Sequence, residues 1–390
     1  MNYKNIIITG SIAYDEIMNF PGEFKDHFHA DKLHQINVSF VVDRLEKQLG
    51  GTATNIAYNI QQMLKLKCQN SKIQINNKLQ KNSKNKINSE FKTCPEQSRR
   101  ILNSKLSILG AVGKDGTQFI DFFKSHGIDT NGLLVDEFLY TSTGKVITDK
   151  VDNQIWGFYY GASSQTYKIN LKKYADKNSL VVISANHPAG FLKFQKQAIE
   201  IGCDYLYDSG MTLTWITDAD LLEGIKHSCW LVGNDYEIGQ IEKRLRINIK
   251  QMVEWGVTVI TTLGEKGANC EGKTNDPFDK AQGKQFSMIN YQSALQRGES
   301  TSNNQFINKK NIKNKYYSFQ VPAVKVKKVV DPTGAGDAWR GGFIAGIIAG
   351  KSIDICVKWA NVLASFAVEK VGTVNHKISK KEFEKRLLLT

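Results

Sequence analysis

No two cysteines in this 390-residue chain form a Cys-x-x-C pair. The six cysteines, at positions 68, 94, 203, 229, 270 and 356, are scattered. That spacing speaks against a metal cage and for reduced thiols in an intracellular protein. No apolar run is long enough to span a bilayer, and Met1 to Ile8 leads straight into an apparent strand rather than a signal peptide. The expected location is the cytoplasm, with no membrane partner. No Gly-Lys-Ser/Thr is present to complete a Walker loop. Gly334-Ala335-Gly336 also lacks the third glycine of a dinucleotide fingerprint, because Trp339 stands in its place.

A net basic charge is missing from most of the chain as well. The net charge of +14 suggests a nucleic-acid partner until it is located. Residues 65–105 hold +9 and residues 273–315 hold +5, so the remainder is neutral. The charge belongs to two polar tracts and not to a binding face, and no nucleic-acid partner is expected.

What the chain does have is Val330-Asp331-Pro332-Thr333-Gly334-Ala335-Gly336-Asp337-Ala338-Trp339, followed by a small-residue run from Gly341 to Gly350. It reads as an apolar segment, a glycine-rich turn, an aspartate and a helix. Glycines admit positive φ and close backbone approach, and a starting helix points free N–H groups at whatever the turn holds. That is an anion site. An aspartate there would repel a phosphate, which gives Asp337 a role as a base on an attacking hydroxyl. A plain helix N-cap is the structural alternative.

The segment Asp331 to Trp339 resembles the C-terminal signature of the ribokinase-like (PfkB) sugar and nucleoside kinases, with Trp339 where the family usually has Phe. Gly50-Gly51-Thr52-Ala53-Thr54-Asn55-Ile56-Ala57 resembles the N-terminal signature. The opening Gly10-Ser11-Ile12-Ala13-Tyr14-Asp15 is most similar to adenosine-kinase-like bacterial members. The resemblance covers the chain outside two inserts, 67–105 and 271–315. It implies an ATP- and Mg²⁺-dependent kinase acting on a primary hydroxyl of a ribose-containing acceptor, with adenosine or another nucleoside ahead of a free sugar. A non-catalytic nucleotide-binding regulator on the same fold is the rival class.

Apolar β-branched runs alternate with helix-like stretches. The strands are expected at Ile6–Thr9, Leu106–Val112, Leu180–Ser184, Tyr205–Tyr207, Cys229–Val232 and Val257–Thr262. The helices are expected at Thr54–Leu66, Thr117–Ser125, Leu192–Ile201, Ile238–Arg246, Ile247–Trp255 and Cys356–Val368. This predicts a doubly wound three-layer α/β/α sandwich with ligands beyond the C-terminal strand ends. Segments 17–45 and 139–160, with strands at Ile36–Val42, Gly144–Thr148 and Ile155–Tyr160, read as a small antiparallel sheet. The resemblance makes that sheet a lid, and its exposed edge permits a homodimer as readily as a monomer. The Asn-, Lys- and Gln-rich inserts are expected to be disordered loops.

Asp337 is the expected base, with the Gly334, Ala335 and Gly336 amides stabilising the transferring phosphoryl group. Asp15, just past the first strand, would accept two sugar hydroxyls, or cap a turn. Gly50, Gly51 and Asn55 would let a ribose approach, or form a tight turn. Asn234-Asp235-Tyr236-Glu237 resembles the family's N-x-x-E motif, which implies that Glu237 reaches Mg²⁺ through water. Thr262, Gly264 and Gly267 match a T-x-G-x-x-G nucleotide motif, with a β-turn as the alternative. Asn361 resembles a position near the adenine. Arg340 suits a phosphate contact and a solvated helix arginine equally. His27, His29 and His34 have no metal-ligand spacing, and Trp156, Phe158, Tyr159 and Tyr160 suit base stacking or lid core equally.

Overall fold

The computed structural model describes residues 3–28, 38–81, 104–151, 153–273 and 316–390, and beyond Leu66 the first helix is described by its backbone alone. The chain enters the core at once with β1 (Asn5–Thr9). It leaves through β2 (Ala13–Asn19) and β3 (Arg44–Gly50), then returns through α1 (Thr52–Lys81), β4 (Lys105–Leu109), β5 (Ala111–Val112), α2 (Thr117–His126) and β6 (Leu134–Val135). After β7 (Ser142–Thr148) and β8 (Gln154–Tyr159), strands and helices alternate. These are β9 (Ser179–Ile183), α3 (Pro188–Ile201), β10 (Asp204–Tyr207), α4 (Asp218–Lys226), β11 (Trp230–Asn234), α5 (Asp235–Leu245), α6 (Ile249–Glu254) and β12 (Thr258–Thr262). Then come β13 (Ala268–Lys273) and β14 (Tyr316–Val321), and α7 (Ala335–Ile348), α8 (Ile353–Ala367) and α9 (Lys380–Leu387) end the fold.

Among the described residues the main sheet runs β14-β13-β12-β11-β10-β9-β1-β4. From β12 to β4 every pairing is parallel, while β13 and β14 join antiparallel. Successive strand residues face opposite sides, and the core divides accordingly. Ile6, Ile8 and Val182 pack with Phe343, Ile344 and Leu363 on one face, whereas Ile7, Val181 and Ile183 pack with Phe191, Phe194 and Leu221 on the other. The result is the expected three-layer sandwich. At β1 the strand order reverses direction, so a crevice opens beyond the ends of β1, β9 and β10.

The smaller sheet, β3-β2-β7-β8, corrects three expectations. It is mixed, because β2 pairs antiparallel with β3 but parallel with β7. Its second strand is Arg44–Gly50, whereas Val38–Val42 has no strand structure and Ile36 lies outside the described residues. Four of the five residues Arg44–Gln48 are charged or polar, and that polarity hides a strand whose sides are both partly exposed. Asp15 lies within β2 and not in a turn after β1. The first insert also begins as helix, since α1 continues to Lys81. The insert bounds are also too wide, because Lys105 begins β4 and residues 271–273 belong to β13; residues 82–103 and 274–315, like His29 and His34, lie outside the described residues. No strand runs directly into the C-terminal signature, because residues 322–334, after β14, are irregular. Among the described residues no helix is long and apolar enough to cross a membrane.

Candidate active site

Gly334 is the N-cap of α7 with φ +75°, a conformation that glycine adopts without strain. A Cβ there would lie 2.7 Å from Thr373 Cγ2, so the turn also needs glycine's small size. Asp331 braces it by accepting hydrogen bonds from the Thr333 and Gly372 amides, each 2.9 Å. Of the three expected amides, that of Ala335 is engaged, donating to Pro332 O at 3.1 Å. The amides of Gly336 and Asp337 belong to the first helical turn, where N–H groups have no intrahelical acceptor.

Asp337 follows in that turn, half-buried, and its Oδ2 accepts a hydrogen bond from Asn55 Nδ2 at 2.8 Å. Burial pushes its carboxyl above the ordinary range, while Arg340 and the Asn55 hydrogen bond oppose that rise. Asn55 Oδ1 is buried without a hydrogen-bond partner on the protein. A buried amide oxygen in that state is costly unless a donor reaches it, and a ligand hydroxyl is such a donor.

Asp15 rests against two glycines. A Cβ on Gly50 would collide with its carboxylate, and one on Gly144 would lie 3.4 Å from Oδ1. Burial raises the Asp15 carboxyl to about 7, with Asp337 and Asp331 adding to the rise. Gly51 has φ +86°, and a Cβ there would meet Ser11 O at 2.5 Å. These glycines bring the β3–α1 turn against the end of β1, where Ser11 Oγ accepts from the Thr52 amide at 3.1 Å.

Phe158 and Tyr160, named from the sequence for stacking or lid core, border the cleft, while Asn186, Asp208 and Met211 escaped sequence reasoning. Ser11, Thr52, Phe158, Tyr160, Asn186, Asp208 and Met211 line the cleft together with Glu237, Asp337 and Arg340. Asp208, directly after β10, is the most consequential. It is 2% exposed and ion-paired with Arg340, which is 8% exposed. Arg340 is therefore neither a solvated helix arginine nor free to turn its whole fork to a phosphate. The Asp-Ser-Gly triplet after the strand Tyr205–Tyr207 was the available signal, because a carboxylate and a glycine at a strand's C-terminal end mark a ligand crevice in this architecture. Trp156, Phe158 and Tyr159 are exposed on the smaller sheet, so the aromatic group is not its core. Phe158 and Tyr160 meet edge-to-face at 5.1 Å on the cleft side.

Asn234 and Glu237 form a reciprocal capping box on α5, with bonds of 2.8 and 2.9 Å. The helix-start reading of this motif is thus realised, and Glu237 still borders the cleft. Among the described residues no group of three His, Cys, Asp or Glu side chains converges closely enough to hold a metal by itself. The donor set fits Mg²⁺ only with waters or phosphates completing the shell.

Thr262 ends β12 and Gly264 opens the turn after it; neither lines that cleft, but Thr262 is in register with Asn234 of β11. Gly267 has φ +92°. Asn361 is buried, and its amide donates to Val321 O at 3.1 Å and Pro322 O at 2.9 Å. Its Oδ1 accepts from Trp339 Nε1 at 2.8 Å. Asn361 thus clamps the loop after β14, with its polar atoms all engaged. Replacing Trp339 with Phe removes the donor and leaves a buried amide oxygen unpaired. A loss of about 1–3 kcal/mol in urea unfolding is expected. A change below 0.5 kcal/mol would show the bond to be dispensable.

A doubly wound sheet whose crevice holds a carboxylate beside a glycine-opened helix start, under a second sheet, defines a phosphotransferase that uses a hydroxyl as acceptor. The chain belongs to the pfkB family of carbohydrate kinases, whose profile matches residues 100–283 and 311–380. A nucleoside kinase of Methanothermobacter thermautotrophicus is 24% identical over 375 residues, covering 95% of this chain and 91% of that protein. The structure of Burkholderia thailandensis nucleoside kinase in complex with inosine superposes with a TM-score of 0.70 at 21% identity, covering 98% of this chain and 96% of that one. The same enzyme in complex with ADP-inosine gives a TM-score of 0.65 at 22% identity, covering 98% and 95%.

Proposed function

We propose that this chain is a nucleoside kinase that moves the terminal phosphoryl group of ATP to the 5′-hydroxyl of adenosine or another nucleoside. The observation that carries this reading is the composition of the cleft wall. Phe158, Tyr160 and Met211 supply an aromatic and thioether surface, and the one cation of the lining, Arg340, is already paired with Asp208. A flat, uncharged base suits that wall. Among the described residues of the lining, a sugar phosphate would find no unpaired cation. A free sugar would use the same hydroxyl-binding groups but leave Phe158 and Tyr160 without a partner.

Asp15 and Asn55 hold the ribose hydroxyls, and Gly50 and Gly51 let the ring lie against the backbone. Asp337 takes the proton of the 5′-hydroxyl as that oxygen attacks. The amides of Gly336 and Asp337, at the positive end of α7, stabilise charge on the transferring group. Ala335 and Gly334 shape the turn. Thr262, Gly264 and Gly267 border the nucleotide, and Asn361 holds the loop behind them. Mg²⁺, bound with the donor's phosphates, would neutralise their charge, with Glu237 reaching it through water. The smaller sheet serves as a lid that excludes water as a competing acceptor.

A coupled ATP-consumption assay tests this with adenosine, inosine, guanosine, cytidine, ribose, fructose and fructose 6-phosphate. Turnover with a nucleoside and none with fructose 6-phosphate is expected. Turnover confined to a sugar would overturn the acceptor.

The carboxyl of Asp15 sets a pH dependence. Ionised, it accepts two hydroxyls; protonated, it loses acceptor capacity. Its raised value places that change near pH 7. The KM for the acceptor is expected to rise severalfold as pH falls from 8 to 6, and Asp15→Asn should remove the dependence. A KM flat across that range in the unmodified enzyme would count against Asp15 as the hydroxyl acceptor. Stability responds in the same window. A carboxyl raised above its unfolded value stabilises the fold most below that unfolded value, and the contribution is lost as pH rises through 7.

A further inference from the structure

Arg340 and Asp208 come from opposite sides of the cleft floor, one from α7 and the other from the loop after β10. The contact is two-pronged: Arg340 Nη2 donates to Asp208 Oδ1 at 2.7 Å, and Nε lies 2.6 Å from Oδ2. A helical side chain leans back toward its own N-terminus. Here that brings the guanidinium under the anion turn, where a Cβ added to Gly336 would meet Nη1 at 2.8 Å. A guanidinium hydrogen-bonded through Nη2 to a buried carboxylate, with Nε held beside it as an ion pair, is restrained in place.

The charges around it make this fixing matter. Asp337 shares the region with Asp15 of β2, Asp331 of the preceding loop, Glu237 of α5 and Asp208. The opposite charge acting on Asp337 is Arg340, three residues on along the same helix. A lone cation among five carboxylates can be drawn to several of them.

We propose that Asp208 and Arg340 form a positioning pair for Asp337: Asp208 fixes the guanidinium beneath the anion turn, in the same cleft and one helical turn from Asp337, where the fixed cation favours the charged base. Asp208 touches neither the acceptor nor the transferring phosphoryl group. It acts through Arg340. This rests on Asp337 being the base, and it assigns a function to a residue that no motif marks. Burial raises the Asp208 carboxyl to about 7 despite Arg340, so the pair is fully charged above neutral pH.

The pair makes a prediction about order that a merely structural role does not. Arg340→Met removes the cation, so Asp337 should titrate at higher pH, by about one unit or more. Asp208→Asn releases the guanidinium from its place beneath the turn, so Asp337 should also titrate higher, by less than in Arg340→Met. The double variant Asp208→Asn/Arg340→Met, which leaves no charge unpaired and guards against a failure to fold, should match Arg340→Met, because Asp208 acts through Arg340. The direct measurement is carboxyl-carbon NMR titration of aspartate-labelled protein, with the Asp337 signal identified by its loss in Asp337→Asn. The acidic limb of the kcat/KM profile should follow the same order. A downward shift of Asp337 in Asp208→Asn, or no shift in either single variant, would overturn the pairing. So would an unshifted Asp337 with the ATP KM raised tenfold in Arg340→Met, which makes Arg340 a phosphate contact. The order in the titration is independent of turnover. If it holds while no acceptor on the panel is consumed, the pair stands and the nucleoside-kinase reading falls.

Discussion

Asp337→Asn should reduce kcat by about a thousandfold or more, with acceptor and ATP KM values within a fewfold of the parent. General base catalysis contributes roughly 10²–10⁴-fold, and an amide can neither take the proton nor repel the donor's phosphates. The substitution should also raise the melting temperature slightly. Burial disfavours the Asp337 carboxylate in the folded state, whereas an amide oxygen can still accept the Asn55 hydrogen bond. Lower activity with higher stability is the mark of a group held for chemistry at a cost to the fold. Single-turnover rates and calorimetry on the same preparation would decide. A kcat within tenfold of the parent would remove Asp337 from the base role.

Gly267→Ala should be among the most damaging single substitutions in the chain, costing about 2–5 kcal/mol of stability. Two causes act together. At φ +92° the backbone is in the left-handed half of the map, which disfavours a side chain. The added Cβ would also collide with Val321 O and lie 2.6 Å from Ala323 N, both backbone atoms that cannot swing away. The loop after β14 would have to move, and Asn361 holds it through Val321 and Pro322. A fall of several degrees in melting temperature, with ATP KM raised more than acceptor KM, is expected. Unchanged melting would mean that this loop shifts at no cost. Gly264→Ala is the internal control. Its φ is also positive, at +57°, but nothing lies within 4 Å of the added atom, so its effect should be much smaller.

The sequence made the main sheet readable because buried parallel strands need unbroken β-branched runs, and Ile6–Ile8, Leu180–Ile183 and Val257–Ile260 have them. It made the anion turn readable because few residue types satisfy a left-handed cap against Thr373 and a free first turn together. Where the signal failed, the cause was physical. The strand Arg44–Gly50 carries mostly charged or polar residues on a half-exposed ribbon, so its pattern resembles a loop. The more apolar stretch at Val38–Val42 drew the prediction away from it. β13 and β14 join the sheet across a long polar tract, which hides their pairing from any local pattern. Asp208 is a lone aspartate whose partner lies 132 positions away. Arg340 sat in the signature's shadow, and only the fold shows that it is buried against that aspartate.

Both polar tracts rejoin the fold at the same pole, and the second also leaves it there. β4 begins at Lys105 level with Asn5 of β1, and Lys273 faces Tyr316 across the last rung of the β13–β14 ladder. Those points lie at the starts of the parallel strands, whereas Ser11, Asn186, Asp208 and Glu237 follow their ends. The second tract departs and returns through residues already bonded to each other, so the ladder is complete whatever length of chain is spliced between them. The molecule therefore has a reacting pole under tight steric constraint and an opposite pole open to insertion. A gene encoding it can gain or lose codons at these two junctions without moving a catalytic atom.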